Sequence, residues 1–574
     1  MHIAVEGCCH GELNKIYETL QFIEKKEEIK ISLVLCCGDF QAVRNEADLN
    51  CMSCPDKHKS MQDFWEYYSG KKVAPYLTIF IGGNHEASNY LQELPFGGWV
   101  APNIYFLGYA GVVSYKGIRI GGLTGIFKQH DYSKGHHEIP PYNQSTKRSV
   151  YHIRNIEVFR LKQLKKDMDI MMSHDWPNGV VEHGDKEELL RKKTFFRKDV
   201  ENNQLGSLPA WQLLTAIRPH YWFSGHLHVK FAAIIDHEVN ESTPTKNNQT
   251  KFLALDKCLP HRDFLQVIDI PCQENLSDEL YYDAEWLAVL KETNHLTSVS
   301  PSSFILPTPG LHEKSDFSVD EEKIEEVIKQ LDGDLKIPRN FKPDSSCFYD
   351  PQNHRRHSVV QHRINNQTTQ MCLKLGITDP IIMIMESKRE SMNRNSLLND
   401  SSWISGDDGH STVISNVSIN PDEIDLGDSD TEEVTDVKLA EESPQDEGAT
   451  TTDDAGATSL SSMSEEEVET GETKQDAPFK TPIRLAARFS MNLPSPVNDP
   501  LSSTPLRTSN TTSSETEMPF SPVSSSDSDI GNNHVCPKRQ SDTDSEVSDS
   551  QTNPAPPKFK RRNFACYSQS EDDT

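Results

Sequence analysis

HIAVEGCCHGE, residues 2–12, opens the chain as a short apolar run that stops on a glycine and then turns polar. Ile3, Ala4 and Val5 read as the heart of a buried strand, and Gly7 ends it. Cys8, Cys9 and His10 follow at once, so soft and titratable side chains stand just past a strand's C-terminal end. The same phase recurs along the chain. The apolar run 31–37 ends at Gly38-Asp39, and the run 76–81 ends at Gly82-Gly83-Asn84-His85-Glu86. Residues 169–173 run into His174-Asp175, and 221–224 into Gly225-His226-Leu227-His228. In α/β sheets this edge is where ligands collect. A random scatter of polar residues does not hold one phase through five strands.

Between these runs the period changes to that of helices. Leu13, Ile16, Leu20 and Ile23 predict a helix within 11–26, and residues 153–167 predict another. Residues 111–115 and 118–123 predict a hairpin, and 231–236, 252–256 and 264–270 continue the β content. Residues 278–292 and 320–332 read as helical, the second with Ile324, Val327, Ile328 and Leu331 at i, i+3, i+4 and i+7. The expected organisation is an α/β domain over 1–235, a smaller α+β appendage over 236–385 and a tail from 386 onward.

The chain has 574 residues and a net charge of −29, of which residues 391–574 carry −22. That Ser/Thr-, Asp/Glu- and Pro-rich stretch cannot bury enough apolar surface to offset chain entropy, which predicts disorder. No apolar run approaches the ~20 residues that span a bilayer, so no membrane is expected. The N-terminal residues lack the basic and apolar segments of a secretory signal. The cysteines, with the adjacent pairs Cys8/Cys9 and Cys36/Cys37, then read as reduced thiols of cytosol or nucleus. The basic cluster 558–562 (KFKRR) resembles a nuclear-import signal, which predicts a nuclear protein with possible shuttling. Ser443, Thr481, Ser495, Thr504 and Ser521 each precede proline. They mark the tail as a solvated, regulatable appendage.

The strand-end residues form a mixed set of oxygen, imidazole and thiolate donors, which is a metal-binding set. A lone histidine is more often a satisfied structural side chain than a ligand; five motifs in phase reverse that balance. Residues i and i+2 on a strand share a side, so Cys8 with His10, and His226 with His228, are each expected to aim two donors inward, with Cys9 and Leu227 pointing away. Cys9, Cys36 and Cys37 are assigned to packing. The single pair Cys51/Cys54 is not expected to hold zinc, and Asp175 is expected to orient or cap.

In order and spacing the motifs resemble the D-x-H, GD, GNH[DE], H and GHxH series of the calcineurin-like metallophosphoesterases. They depart from it at Cys8, which stands where that family has Asp. Cys8 together with GDFQ (38–41), residues 82–108, SHDWP (173–177) and KFLALDKCLPHRDFLQ (251–266) is similar to the members that open branched RNA. The resemblance covers residues 1–385. It implies a four-layer β-sandwich flanked by helices, with two divalent metals at the strand ends. By motif, Cys8, His10, Asp39 and His228 surround one metal; Asp39, Asn84, His174 and His226 surround the other, with Asp39 bridging. His85 stands beside the metals as proton donor to the leaving ribose oxygen. The implied substrate is the 2′–5′ phosphodiester at the branch of an excised intron lariat, in intron turnover and RNA processing. A soft ligand at position 8 favours Fe²⁺ or Zn²⁺, with Mn²⁺ able to substitute. A protein phosphatase or DNA nuclease of the same superfamily, or a scaffold that has lost catalysis, stays open.

Residues 125–153, GIFKQHDYSKGHHEIPPYNQSTKRSVYHI, are too long for an ordinary connector. Lys128, Lys134, Lys147 and Arg148 alternate with Tyr132 and Tyr142, a mixture that suits RNA: cations on phosphates and rings on splayed bases. A solvated loop packed on its own domain is the competing reading, and the resemblance, whose members carry an RNA-recognition loop here, favours RNA.

Overall fold

Strands buried on both faces read as nearly continuous apolar runs, and the first three lie where those runs do: β1 His2–Glu6, β2 Ile31–Cys36 and β3 Thr78–Phe80. They continue through β4 Gly98–Ala101, β5 Ile104–Phe106, β6 Ala110–Tyr115, β7 Ile118–Leu123 and β8 Ile170–Ser173. Then come β9 Tyr221–Ser224, β10 Phe231–Asp236, β11 Gln249–Ala254, β12 Leu265–Asp269 and β13 Leu280–Tyr282. This is a computed structural model. It describes residues 1–238, 247–273, 275–352, 360 and 362–399, the last nine of these by backbone alone. The chain divides into the units Met1–Ser495 and Pro496–Thr574, and every described residue belongs to the first. The expectations for the tail beyond 399, the basic cluster 558–562 included, lie outside the described residues.

One sheet has the order β12-β1-β2-β3-β5-β4 and the other β10-β11-β9-β8-β7-β6-β13. In the first, β1, β2, β3 and β5 are parallel neighbours; in the second, β7, β8, β9 and β11 are. Parallel neighbours end on the same edge, so the polar residues that follow β1, β2 and β3 share one rim, as do those that follow β8 and β9.

Side-chain alternation then fixes the layers. Ile3, Val5, Leu33 and Leu35 meet Ile120, Ile170, Met172, Phe223 and Leu253 between the sheets. Each fully buried Ile or Leu there contributes about 1.5–3 kcal/mol relative to exposure. On the outer face of the first sheet, the helix Leu13–Glu27 lays Leu13, Ile16, Leu20 and Ile23 against Ala4, Val34 and Cys36. The helices Asn155–Leu161, Leu208–Ile217 and Ala284–Glu292 cover the second sheet. The result is the expected four-layer sandwich. No described helix is long and apolar enough to cross a membrane.

The stretch 236–385 contributes to both sheets: β11 sits between β9 and β10, β12 pairs with β1, and β13 pairs with β6. Two local expectations change. The helix expected over 153–167 stops at Leu161 because tertiary partners take the next backbone groups. Glu285 accepts from Lys165 N at 2.6 Å, and Arg119 donates to the carbonyls of Lys166 and Asp167 at 2.9 and 3.0 Å. The helix expected from 278 begins at Ala284, since Leu280–Tyr282 pair as a strand and Asp283 caps the helix by accepting from Trp286 N at 2.9 Å. The stripe over 320–332 holds: Glu321–Gln330 is helical with Asp320 as cap, and Ile324 and Val327 are buried.

Candidate metal centre

Backbone bonds join the strand-end motifs in two pairs. His10 N donates to Asp39 O at 2.7 Å, joining the loops after β1 and β2. Gly225 N donates to His174 O at 3.2 Å, joining those after β8 and β9. His174 Nδ1 lies 2.8 Å from the Cys37 carbonyl, which can only accept, so the bond crosses between the sheets and leaves Nε2 facing inward. His10, Asp39, His226 and His228 have φ of 46°, 46°, 66° and 48°. Non-glycine residues enter this left-handed region at a cost of roughly 1–3 kcal/mol and keep it where their surroundings over-determine them, most often at functional sites. Convergence of His10 with Cys8, and of His228 with His226, therefore comes from left-handed turns past the strands rather than from strand alternation.

Two overlapping groups result. Cys8, His10, Asp39 and His228 each bring a ligand atom within 4.8 Å of the others. His10 Nε2 stands 3.3 Å from His228 Nε2 and 3.7 Å from Asp39 Oδ2. On the other side of the same carboxylate, His174 Nε2 is 3.2 Å from Asp39 Oδ1 and 3.2 Å from Asn84 Oδ1. The His226 ring lies beside that of His174, centroids 4.9 Å apart. Asp39 thus stands between the groups. Two glycines make room: a Cβ on Gly83 would fall 2.2 Å from Asp39 Oδ1, and one on Gly38 2.3 Å from His174 Nδ1.

The electrostatics suit cations. Burial pushes His10 down to about 4, His226 down to about 3 and His228 well down, so these rings are neutral near pH 7 with lone pairs available. Burial alone would raise Asp39, but the facing His174, His85 and His10 outweigh it and hold the carboxyl well below its usual range. Burial pushes the Cys8 thiol well up; against it, the His226 amide donates to Sγ at 2.9 Å. His228 Nδ1 is buried with no hydrogen-bond partner among the described residues. Neutral rings, an ionised carboxylate and an orphaned ring nitrogen around one point fit a pair of divalent ions.

His85 is half-buried and sits against His10, ring centroids 5.5 Å apart. Its backbone N–H donates to Asp39 Oδ1 at 2.8 Å, which fixes the residue beside the ligand group. Asp175 accepts from Phe127 N at 3.2 Å and so pins the start of the 125–153 segment, the orienting part expected of it. Sequence reasoning missed three supports. Glu86 accepts from the amides of Phe40, Gln41 and Gly83 at 2.7, 3.0 and 3.0 Å and sets the Asp39 turn. Burial and the nearby Asp39 push its carboxyl up to about 8, against those three donors. The Gln41 amide touches His10 Nδ1 at 3.1 Å. Lys257 forms a bridge with Cys8 and depresses His10 and His228 electrostatically. All three lie in or next to motif runs, and that adjacency was the available signal.

The 125–153 segment is built differently. Lys128 lies within electrostatic reach of His226 and Asp175, at the edge of the centre. Lys147 and Arg148 are half-buried on the short helix Thr146–Ser149, with Lys59 close to Lys147. Lys134 is engaged with Asp131 at 2.7 Å, and Tyr132 packs edge-on against Phe127. Tyr142 corrects the expectation of a base-stacking ring. It is buried with Cys51, Ile126, Val150 and Tyr151, and its hydroxyl donates to Gln92 Oε1 at 2.5 Å. Beneath, Arg154 pairs with Glu138 at 2.6 Å and His152 with Asp131 at 2.7 Å.

Comparison with known proteins agrees with this geometry. Residues 1–230 match the family model for calcineurin-like phosphoesterases, and residues 247–380 match that for the lariat debranching enzyme C-terminal domain. Lariat debranching enzyme A of Xenopus laevis is 54% identical over 78% of this chain and 84% of its own length. The lariat debranching enzyme of Homo sapiens is 53% identical over 75% of this chain and 80% of its own, and that of Arabidopsis thaliana 47% identical over 66% and 86%.

Proposed function

The chain belongs to the lariat debranching enzyme family, within the calcineurin-like phosphoesterases, and from that premise we propose the substrate, metals and residue roles that follow. The reaction is hydrolysis of the 2′–5′ phosphodiester at the branch of a lariat RNA, leaving a linear RNA with a free branch 2′-hydroxyl and a 5′-phosphate. The carrying observation is Asp39 standing between the Cys8/His10/His228 and Asn84/His174 groups. Cys8, His10, Asp39 and His228 hold one metal and Asp39, Asn84, His174 and His226 the other. Two divalent ions supply Lewis acidity toward phosphate and lower the pKa of water, the chemistry that phosphodiester hydrolysis needs. The protein does the rest. His85 holds a proton toward the departing 2′-oxygen. The Gln41 amide fixes the His10 ring, and the Cys37 carbonyl fixes the His174 tautomer. Lys128, Lys147 and Arg148 draw the RNA backbone toward the centre. The thiol at position 8 favours Fe²⁺ or Zn²⁺, with Mn²⁺ as substitute.

Turnover of a synthetic 2′–5′ branched RNA against a linear 3′–5′ control tests this directly. The branched substrate is cleaved at its branch and the linear one survives; equal cleavage of both would return the superfamily's other activities to the front.

The enzyme acts in the nucleus as a monomer, with the tail carrying the import signal and the docking sites for RNA-processing partners. The support is the basic cluster 558–562 and the tail's composition. A chain of residues 1–385 debranches RNA normally in vitro and loses nuclear enrichment in cells. A folded, soluble but inactive 1–385 chain contradicts the tail's separate role.

A further inference from the structure

We propose that Glu6, Cys9 and Cys36, with Cys258 as the fourth donor, form a structural site for a soft divalent ion such as zinc, behind the catalytic centre and separate from it. β1 and β2 are parallel with Glu6 directly opposite Cys36, so the two side chains leave the sheet together on the face that carries Ala4 and Val34. Cys9 turns to the same side. It shares the core layer beneath the helix Leu13–Glu27 with Cys36 and Cys258, while its neighbour Cys8 faces His10 and Asp39. Glu6, Cys9 and Cys36 each offer a ligand atom within 4.8 Å of the others. Cys258 is brought alongside by its amide, which donates to the Cys8 carbonyl at 3.1 Å.

Packing accounts for the thiols, since buried cysteine serves as a small hydrophobe. It does not account for Glu6. That side chain is 0% exposed, and among the described residues its carboxylate faces no nitrogen or oxygen donor, only the Cys36 thiol, a weak donor. A buried carboxyl so weakly partnered is costly and needs an explanation. Two thiols and a carboxylate within 4.8 Å of one another are zinc donors in kind; Cys258, outside that distance but close enough to act on Cys9 and Glu6 electrostatically, moves in to complete the four. An ion there satisfies Glu6 and ties the end of β1 to the end of β2. Those ends carry Cys8 and His10 on one loop and Asp39 on the other, so the site steadies the catalytic ligands from behind. It shares no residue with the catalytic groups and does not depend on the function proposed for them.

The test is metal content of the full chain prepared with zinc, and cobalt absorption after exchange. The wild-type chain holds about one metal equivalent more than a Glu6→Gln variant, whose amide keeps the shape but is a weak ligand. A chain carrying both Cys8→Ala and His174→Ala has lost its catalytic ligands yet still shows the near-ultraviolet thiolate-to-cobalt band. Adding Cys36→Ser abolishes that band. Glu6→Gln also melts at lower temperature than wild type. Unchanged metal content in Glu6→Gln overturns the proposal, and so does absence of the band in the Cys8→Ala, His174→Ala chain. If Cys36→Ser fails to fold, those two measurements decide alone.

Discussion

The strand-end centre and the 125–153 segment lie side by side, and each gathers histidines, acids and cations, yet they are held together by opposite means. At the centre His228 Nδ1 has no partner among the described residues, His10 and His228 present ring nitrogens 3.3 Å apart, and four of the converging residues sit at left-handed φ. In and just past the segment the charged groups are tied into pairs, Arg154 with Glu138, His152 with Asp131 and His136 with Glu157, and Tyr142 bonds Gln92, although His136 Nδ1 and Arg154 Nε have no partner among the described residues. Asp131 shows the contrast: burial would raise its carboxyl, but His152 and Lys134 outweigh that and hold it below its usual range. The centre turns neutral ring nitrogens toward one carboxylate, whereas the segment neutralises its acids one by one with Arg154, His152 and Lys134.

Substitutions should separate the two regions. The largest effect is at His85. His85→Ala should cut branched-RNA turnover by about 10²–10⁴ with metal content unchanged; loss of metal in that variant would place His85 among the ligands. Next, replacing Lys147 and Arg148 with neutral residues should weaken RNA binding. It should flatten the plot of log affinity against log salt by about 1.4, the equivalent of two single-strand phosphate contacts. Hydrolysis of a small chromogenic phosphodiester should hardly change, and equal loss on both substrates would make the segment purely structural. Cys8→Asp should keep the fold and shift metal preference several-fold toward manganese over zinc or iron, because a carboxylate is the harder ligand. An unchanged order of metals in chelator-stripped protein would return Cys8 to packing. The smallest effect is Tyr142→Phe. It should cost about 1 kcal/mol in denaturant unfolding through the lost bond to Gln92, with RNA affinity intact. A loss of affinity there would restore Tyr142 as a stacking ring.

The contrast also explains what was legible in the sequence. Residues gathered just past strand ends leave a repeated phase, so the meeting of Cys8, Asp39, Asn84, His174 and His226 could be read from order and spacing. The left-handed turns that make His10 and His228 converge leave no comparable mark, and strand alternation was offered in their place. The segment's residues were chosen by type, and type does not separate a ring that stacks on RNA from one that packs: Tyr142 is buried while Lys147 and Arg148 are partly exposed. Long-range capture of backbone groups, such as Glu285 on Lys165 and Lys166, is likewise silent in local periodicity and shortened the helix after Asn155. The strands β11, β12 and β13 were partly visible as β content, but their insertion into sheets begun more than a hundred residues earlier was not.

The most direct measurement is anomalous diffraction at the iron, zinc and manganese edges on crystals of anaerobically purified full-length protein. Two peaks should flank Asp39, one within reach of Cys8, His10 and His228 and the other of Asn84, His174 and His226, at the ~3.5–4 Å separation of two-metal phosphoesterases. Crystals of active protein with no peak beside Asp39, or with a single ion that Asp39 does not touch, would contradict the two-metal centre.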